Sequence, residues 1–423
     1  MSSASAPACP AHADFDPFDQ AYLADPYPTL AELPDVFRAP TLDMWVLTRH
    51  ADIDAVFRDP VTFSAGIAQD PVFPLSPGAR AALGPDFPLP RTMSNADPPA
   101  HTRIRRFNMR AFSARRVAAL EPRVREAARR MIDELPTGEP FDLVSALSFP
   151  LPAFMIFTLI GFPEPDTELL KSWCGNRMAF SWGRPTAEEQ ERIAADMRRY
   201  WEYCTEFVAG RMTDPRDDFT SDLVRIHRED PDQLSQLEIT SVIYGLSFAG
   251  HETTTNLTSN AVRRLLEHPA QWRALCAEPE LIPNAVEEVL RHDTSVVAWR
   301  RVTTRPVTIA GTEIPAGARL LLLLAGANRD AALIAQPGRF DIYRDDANRH
   351  LAFGKGIHFC LGAPLARMEV RVVLEELTTR APNLALLPDQ RLEFPPNVSF
   401  RGPRQLWLQR QADRRHTDPM EDS

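Results

Sequence analysis

A single cysteine stands in a loop that also holds three glycines, in the stretch FGKGIHFCLG at residues 353–362. The Cys360 thiol could be a buried core residue, a nucleophile or a ligand of a soft metal ion. The five cysteines of the chain form no CxxC pair, so we expect neither a four-ligand zinc site nor a disulfide framework. Haem iron fits better, because the porphyrin supplies four nitrogens and the protein only one axial atom.

The residues around Cys360 favour a thiolate. Gly354, Gly356 and Gly362 would let the backbone turn tightly and approach the sulfur. A helix that is predicted to begin near Pro364 would direct amide groups and the positive end of its dipole toward the sulfur. Taken alone, a cysteine in a glycine-rich turn is more often a buried structural residue. That structural role is our interpretation of Cys174, Cys204 and Cys276.

A second stretch, FAGHETTTN at residues 248–256, lies in a long predicted helix. It does not complete the HExxH zinc motif, because position 255 is a threonine. Ala249 and Gly250 are small enough to let a flat ligand or a gas approach the backbone. Glu252 and Thr253 place a carboxylate beside a hydroxyl, a pair that can relay protons into an apolar cavity. The alternative is a solvated glutamate among threonines, which are indifferent helix formers.

Several charged residues could bind carboxylates or each other. His101 and Arg105 are four residues apart and therefore share a helix face. Arginine is suited to bidentate contact with a carboxylate, and Arg301 is a third candidate. Glu288 and Arg291 are spaced i, i+3 in the stretch EEVLR, which by itself is the pattern of an ordinary surface ion pair. Simple solvation is the alternative for each of these side chains.

Together these stretches resemble the cytochrome P-450 monooxygenases. The series Phe353-Gly354-x-Gly356-x-His358-x-Cys360-x-Gly362 matches the haem-binding signature of that family position by position. The resemblance implies a haem b cofactor whose iron is bound by the cysteine thiolate, with the histidine as a propionate partner. It also implies a mainly α fold with a smaller β region, in which a long central helix lies over the haem. The residues expected to contact the haem are His101, Arg105, Ala249, Gly250, Arg301, Phe353, Gly354, His358 and Gly362.

The resemblance also assigns roles to the other stretches. Thr253 would hold dioxygen by a hydrogen bond, and Glu252 would supply protons for cleavage of the O–O bond. The family more often has aspartate at this acidic position. Glu288 and Arg291 would be buried and joined by Arg339 of the stretch QPGRFD, in a cluster that positions the cysteine loop.

The implied reaction is insertion of one oxygen atom from O₂ into a small apolar or aromatic substrate, by hydroxylation or oxidative O-dealkylation. The segments that match the family's substrate-contacting regions are mostly apolar. The candidate wall residues, each with core packing as its alternative role, are Phe248, Val297, Ala298 and Phe400. Two rival activities are a peroxide-driven peroxygenase, which would not need the acid–alcohol pair, and a non-enzymatic haem-thiolate sensor, which would need neither that pair nor a lid.

The stretch RIRRFNMRAFSARR at residues 103–116 makes a basic stripe on an acidic protein. In the family this helix lies on the proximal side of the haem, with Lys355 and Arg367, so we expect an acidic ferredoxin or flavodoxin-type module to dock there. Four stretches, SWGRPTAEEQ, LIPNAVEEVLRH, SVVAWRRVTT and NVSFRGP, are similar to the haem domain of the bacterial self-sufficient subgroup, which is fused to a reductase. We therefore expect either an excised haem domain or a stand-alone enzyme with separate partners.

Composition narrows the class of protein. With 44% hydrophobic and 25% charged residues the chain is typical of a globular protein, and its net charge of −10 argues against a nucleic-acid partner. The N-terminus lacks the regions of a signal peptide and the cysteines suit a reducing compartment, so we expect a cytoplasmic location. The longest uncharged run, residues 143–163, is interrupted by prolines. It is predicted as a buried helix beginning after Pro152, not as a membrane anchor.

These residues must be positioned by a mostly helical chain. Periodicity predicts helices from His101 to about Thr137, over Glu164–Met212 and Gln233–Glu267, and from Pro364 to about Arg380. Strands are predicted within 44–50, 305–330 and 384–411, and the proline-rich segment 63–99 is predicted to be loop. No internal linker is apparent. We therefore predict one large domain over 16–411, between a disordered tail at 1–15 and a polar tail or linker at 412–423.

Overall fold

The computed structural model describes residues 12, 14–87, 89–110, 112–175 and 177–411. Most of the two predicted tails, over 1–11 and 412–423, lies outside these residues. The amide of His12 donates to the carbonyl of Arg38 at 3.1 Å. Phe15 is only 3% exposed and packs edge-on against Phe37. Packing of the described domain therefore begins slightly before residue 16.

Helices make up most of the described chain, as the sequence predicts. The α-helices are α1 Gln20–Ala24, α2 Tyr27–Glu32, α3 His50–Arg58, α4 Pro77–Leu83, α5 Ala100–Asn108, α6 Ala114–Asp133, α7 Pro150–Ile160, α8 Thr167–Cys174, α9 Arg177–Trp182, α10 Ala187–Thr213, α11 Phe219–Glu229, α12 Gln236–Glu267, α13 Pro269–Ala277, α14 Ile282–His292, α15 Leu324–Ala327 and α16 Ala363–Arg380. Short π or 3-10 turns lie at Val144–Ser148, Glu164–Asp166, Pro279–Leu281, Ala347–Arg349 and Gly356–His358.

The strands form a smaller β region. They are β1 Val36–Ala39, β2 Met44–Leu47, β3 Phe63–Ser64, β4 Pro140–Asp142, β5 Trp299–Thr303, β6 Val307–Ile309, β7 Thr312–Ile314, β8 Arg319–Leu322, β9 Leu384–Leu386 and β10 Trp407–Arg410. A five-stranded sheet has the order β1-β2-β8-β5-β3, a three-stranded sheet the order β4-β10-β9, and β6 pairs with β7. Within the large sheet β5 runs antiparallel to β8, so that Arg301 lies opposite Leu320.

The central helix α12 is the longest described element and crosses the domain. Its 32 residues span about 48 Å at 1.5 Å per residue. A capping box starts it, because the Ser235 hydroxyl accepts from the amide of Glu238 while the Glu238 carboxylate accepts from the amide of Ser235. The predicted helix over 233–267 is confirmed, with its start moved to this cap. Most of its residues are buried within the main hydrophobic core.

Two predicted segments are divided differently in the structure. The arginine-rich stretch forms α5 and α6, because the backbone is extended at Ser113 between them. The segment 63–99 is not all loop. It contains α4, which begins at Pro77 after a Ser76 cap whose hydroxyl accepts from the amide of Ala79. The fixed φ angle of proline suits the first helical position, and the amide hydrogen that proline lacks would have no helical partner there.

The uncharged run over 143–163 forms a buried helix, as predicted, but α7 already starts at Pro150. Pro150 and Pro152 both occupy the first turn, where a missing amide breaks no helical hydrogen bond. Its remaining residues pack in the main hydrophobic core. Within the part of the chain that the structure describes, no helix combines the length and apolarity needed to cross a membrane.

A buried ion cluster ties α14 to the irregular segment before the cysteine loop. Arg291 Nε and Nη2 donate to the two carboxylate oxygens of Glu288 at 2.7 and 2.8 Å, and both side chains are 0% exposed. The third member is Arg344, whose Nε lies 3.6 Å from Glu288 Oε2. The prediction of Arg339 is wrong, because its side chain is 64% exposed and pairs with Asp341. Arg339 takes part only through its backbone carbonyl, which accepts from Arg291 Nη2.

We predict that Arg344→Ala lowers the free energy of unfolding by about 2 kcal/mol, because it removes a charged contact from a buried carboxylate. Arg339→Ala is the matched control and should change that free energy by less than about 0.5 kcal/mol, because its side chain is exposed. Denaturant unfolding followed by circular dichroism measures both values. Equal effects of the two substitutions would contradict the assignment of Arg344.

Candidate active site

A large internal cavity lies between α12, the cysteine loop and the start of β5. Its volume is about 310 Å³, and its lining includes Cys360, Thr253 and Arg301. The lining draws on segments that are far apart in sequence, so the cavity exists only in the folded chain. Its size and its mixture of apolar walls with a few polar groups are typical of a ligand or cofactor site.

The cysteine loop is shaped by two glycines with left-handed backbone. Gly354 and Gly356 have φ values of 65° and 66°, a conformation that residues with a Cβ rarely adopt. A Cβ on Gly356 would also lie 2.3 Å from the carbonyl oxygen of Phe57 in α3. The amide of Cys360 donates to the carbonyl of Phe353 at 2.9 Å, which closes the loop. The spacing of glycines in the sequence is therefore a requirement of this turn and of its close contact with α3.

The sulfur of Cys360 faces the cavity just before α16 begins. Burial raises the pKa of the Cys360 thiol, and hydrogen bonds from the amides of Gly362 and Ala363, together with the Arg105 guanidinium, partly offset that rise. These amides form the N-terminal end of a helix, where negative charge is favoured. A metal ion bound to this sulfur would deprotonate it outright. The surroundings are suited to a thiolate ligand.

Four predicted carboxylate partners meet beside the cysteine loop. The rings of His101 and His358 are 4.2 Å apart. Both nitrogens of His101 and Nε2 of His358 are buried without a hydrogen-bond partner. Arg105 donates to the carbonyl of Phe359 at 2.5 Å, and Arg301 donates to a backbone carbonyl at 2.8 Å. Among the described residues, neither arginine has a carboxylate within ion-pair distance.

The electrostatics of this group favour an anionic ligand. Burial and nearby arginine charges lower the pKa of His101 to about 4 and that of His358 to about 3. Burial lowers the pKa of Arg301 to about 10. These shifts arise because positive charges are crowded into a buried site. Carboxylates placed among them would reduce the repulsion between these positive charges and accept hydrogen bonds from the N–H groups that lack partners.

The α12 side of the cavity carries Ala249, Gly250 and Thr253. The Thr253 hydroxyl donates to the carbonyl of Ala249 at 2.9 Å. Gly250 has a second reason to lack a side chain, since a Cβ there would lie 2.6 Å from the Ile156 side chain of α7. The small residues therefore open the cavity and also let two buried helices approach closely.

Glu252 is buried but does not border the cavity. Its Oε1 lies 3.9 Å from Nδ1 of the fully buried His251, and it approaches Gly175 at the end of α8. Burial raises the pKa of Glu252 to about 7. The predicted acid–alcohol pair is thus adjacent in sequence, but among the described residues no direct hydrogen bond joins the carboxylate to Thr253.

Two of the four predicted wall residues border the cavity. Phe248 and Phe400 do so, whereas Val297 and Ala298 do not. The prediction of Val297 and Ala298 is wrong, because neither residue borders the cavity and both are buried in a hydrophobic cluster that also contains Phe248 and Phe400. The adjacent residues Val296 and Trp299 line the cavity instead.

The sequence analysis singled out none of three charged residues that border the cavity, Asp70, Arg177 and Glu369. Glu369 on α16 is 2% exposed, its Oε2 has no hydrogen-bond partner, and burial raises its pKa well above the usual range. Leu365, four residues earlier, and Val372, three residues later, lie on the same helix face as Glu369. The signal in the sequence was therefore an acidic residue at an apolar position of the helix. Arg177 opens α9 and also borders the cavity. It lies in an apolar segment, and no local pattern distinguishes it from the surface arginines.

Comparison with known proteins identifies the family. The family model described as Cytochrome P450 matches residues 74–380. The chain belongs to the cytochrome P450 family. It is 38% identical to the cytochrome P450 monooxygenase PikC of Streptomyces venezuelae, over 96% of this chain and 97% of that protein. The other curated relatives include hydroxylases and epoxidases, and this P450 is accordingly a monooxygenase.

Solved structures agree with this family. The cytochrome P450 CREJ in complex with (4-ethylphenyl) dihydrogen phosphate superposes with a TM-score of 0.91 at 38% identity, over 95% of this chain and all of that one. An intact type IV self-sufficient cytochrome P450 monooxygenase has a TM-score of 0.90 at 39% identity. The match covers 95% of this chain and 53% of that longer one. The predicted similarity to reductase-fused haem domains is confirmed.

P450 membership implies a haem with a cysteine thiolate ligand, and the described residues fit that group. The Cys360 sulfur borders the cavity beside amides at a helix N-terminus. The buried ring nitrogens of His101 and His358 that lack partners stand in the same site. The sulfur is suited to bind the haem iron, and the ring nitrogens are suited to contact the two carboxylates of the haem.

Proposed function

We propose that the protein is a haem-thiolate monooxygenase that inserts one oxygen atom from O₂ into a small substrate with an apolar or aromatic body. The observation that carries this proposal is one cavity bordered by the Cys360 sulfur and by Thr253 of α12. Bound haem b would supply the binding and reductive activation of dioxygen. The Cys360 sulfur would bind the haem iron, and the propionates would be bound by His101, Arg105, Arg301 and His358.

Residues of α12 would control protons. The Thr253 hydroxyl borders the cavity and can turn from the Ala249 carbonyl to donate a hydrogen bond there. Glu252 has its pKa raised to about 7 by burial, so both of its protonation states are populated near neutral pH. Such a carboxyl can release a proton and regain one. Because its carboxylate lies outside the cavity, a water molecule would carry the proton between Glu252 and Thr253.

The walls of the cavity support a flat, apolar substrate body. Trp182 stacks on Phe248 with ring centroids 5.8 Å apart, and Phe400 meets Trp182 edge-on at 4.9 Å. Such aromatic walls exclude water and bury a substrate ring. The related CREJ binds a substituted phenyl compound. The proposed reaction is therefore hydroxylation or oxidative O-dealkylation of a substituted aromatic or alkyl compound.

Electrons would come from a ferredoxin or flavin module that docks beside the cysteine loop. Arg110 and Met109 are exposed just after α5, and Phe359 is exposed next to Cys360. Part of the basic stripe is neutralised, since Arg103 pairs with Glu238. Arg110 forms no ion pair within the described chain and remains available to an acidic partner.

The five cysteines form no CxxC pair, which supports the cytoplasm as the compartment.

We expect Thr253→Ala to uncouple electron use from product formation, because it removes the only hydroxyl proposed to donate into the oxygen-binding part of the cavity. Product per electron consumed should fall about tenfold or more, in the range of a lost proton-transfer group, while peroxide release rises. A panel of alkylbenzenes and alkylphenols provides the substrates. The control is Thr240→Ala, which removes a similar hydroxyl bonded to the i−4 carbonyl of α12 but outside the cavity.

Two results would contradict the proposed function. Full coupling in Thr253→Ala would exclude the proton role of this hydroxyl. A reduced, CO-bound protein without the red-shifted Soret band of thiolate ligation would exclude Cys360 as the iron ligand.

We expect coupling to fall as the pH rises through about 7, because burial raises the pKa of Glu252 to that value and only the protonated carboxyl can donate. Below this pH the carboxyl carries its proton, and above it the proton is lost. In Glu252→Gln the pH dependence should vanish and coupling should stay low throughout. Product per electron from pH 6 to 9 measures this, and an unchanged profile in the variant would assign the dependence to another group.

We expect Arg110→Glu to slow the first electron transfer from a reduced ferredoxin by about tenfold at low ionic strength, because it reverses a charge in the docking surface. The difference should shrink at high salt, which screens exposed charges. Stopped-flow reduction under CO measures the rate. Arg199→Glu is the control, since this exposed arginine lies on α10. An equal loss in both variants would show that only total charge matters.

A further inference from the structure

Arg177 is a cation in the cavity wall without an anionic partner. Its Nη2 donates to the neutral side-chain oxygen of Gln69 at 2.6 Å. Its Nε and Nη1 are buried without any hydrogen-bond acceptor. Within the described chain, no carboxylate lies within ion-pair distance of this guanidinium. Arg177 as a whole is only partly buried, but its buried N–H groups are costly unless something supplies the missing acceptors.

Aromatic rings compensate for only part of this cost. The guanidinium carbon lies 4.8 Å from the ring centroid of Tyr244 and 5.4 Å from that of Phe248, both on α12. Such contacts orient an arginine and contribute modestly to its stability. They neither neutralise its charge nor accept its in-plane N–H groups. The rings therefore hold the guanidinium at the cavity wall and leave its hydrogen-bonding capacity unused.

A second buried arginine adds to the positive charge nearby. Arg300 is 0% exposed, and its Nη2 donates to the carbonyls of Ala68 and Asp70 at 3.1 and 2.6 Å. Its Nε and Nη1 also lack acceptors. The segment 68–70 thus lies between two guanidinium groups. Asp70 also borders this cavity. Its carboxylate forms an ion pair with Nη2 of Arg91 at 3.9 Å, and not with Arg177.

Arg177 is separate from the group beside the cysteine loop. It contacts Gln69 and the α12 residues Tyr244 and Phe248, whereas the proposed propionate partners cluster around His358. Phe248 and Phe400 also border the cavity. The cavity therefore combines aromatic walls with a cation on α9.

We propose that Arg177 binds an anionic group of the substrate, so that the enzyme acts on compounds with an apolar body and one carboxylate, sulfate or phosphate. This inference rests on the proposed function and specifies its substrate class. The anion would accept from Nε or Nη1, the atoms that lack acceptors, together with the second hydrogen of Nη2, in the bidentate manner that suits a planar guanidinium. It would also fix which carbon of the apolar body points toward the reacting centre.

The test compares matched ligands in the ferric holoenzyme by calorimetry. The probes are 4-alkylbenzoates with ethyl to hexyl chains, each paired with the corresponding benzamide of nearly the same shape. We expect at least one benzoate to bind about tenfold or more tightly than its amide, as one charge-assisted contact would provide. Equal or weaker binding of every benzoate would overturn the inference.

Three variants locate the preference at Arg177. Arg177→Gln should reduce the benzoate preference by about tenfold, with the amide affinity changed less than about threefold. Arg177→Lys should keep part of the preference, because it keeps the charge and loses the bidentate geometry. Arg199→Gln is the matched control and should leave the preference unchanged. An unchanged preference in Arg177→Gln would overturn the inference.

Gln69→Glu provides a test that keeps the arginine and its aromatic contacts. The Gln69 oxygen already accepts from Arg177, so a carboxylate there would supply an internal anion at nearly the same shape. We expect this variant to lose the benzoate preference as fully as Arg177→Gln, and retention of the preference would overturn the inference.

The CO complex of each protein separates this inference from the proposed function. A normal red-shifted Soret band without a benzoate preference would overturn only the role of Arg177. Absence of that band in the wild-type protein would overturn the proposed function itself.

Discussion

The structure depends on presenting one sulfur to a large cavity while the backbone around it stays tightly packed. Burial disfavours a thiolate at Cys360, and amide groups at the start of α16 together with Arg105 partly offset this effect. That arrangement requires the preceding chain to turn through two left-handed residues, one of which touches the backbone of α3. Only glycine satisfies both demands. The loop, α16 and α3 are therefore placed relative to one another by the needs of a single side chain.

Several buried polar atoms without partners lie at or beside the same cavity. His101, His358 and Arg177 carry nitrogen atoms that find no hydrogen-bond partner among the described residues, and Glu369 carries such an oxygen. A folded protein rarely tolerates these groups at random positions, because each one costs free energy of desolvation. The cavity therefore combines polar groups near the cysteine loop, aromatic walls and a cation on α9. This combination matches a site that holds a cofactor and a substrate together.

The buried ion cluster on α14 shows how the scaffold supports this site. Glu288 and Arg291 form a bidentate pair with no exposure to solvent, and Arg291 also donates to the carbonyls of Pro337 and Arg339. A charge-assisted network of this kind fixes a segment that is irregular apart from the short 3-10 turn at Ala347–Arg349. That segment leads directly into the cysteine loop. Rigidity at the sulfur is thus supplied by contacts made well before it in the chain.

The sequence by itself determined what depends on short-range geometry. The glycine spacing around Cys360, the i, i+3 pair on α14 and the small residues 249–250 all follow from local backbone rules, and the structure has each of them. Only the tertiary structure decided which of two arginines in an unpatterned segment, Arg339 or Arg344, reaches Glu288. It also decided that Val296 and Trp299, not Val297 and Ala298, line the cavity. Irregular backbone has no period from which the direction of a side chain can be read, and a contact between distant segments depends on how the whole chain packs.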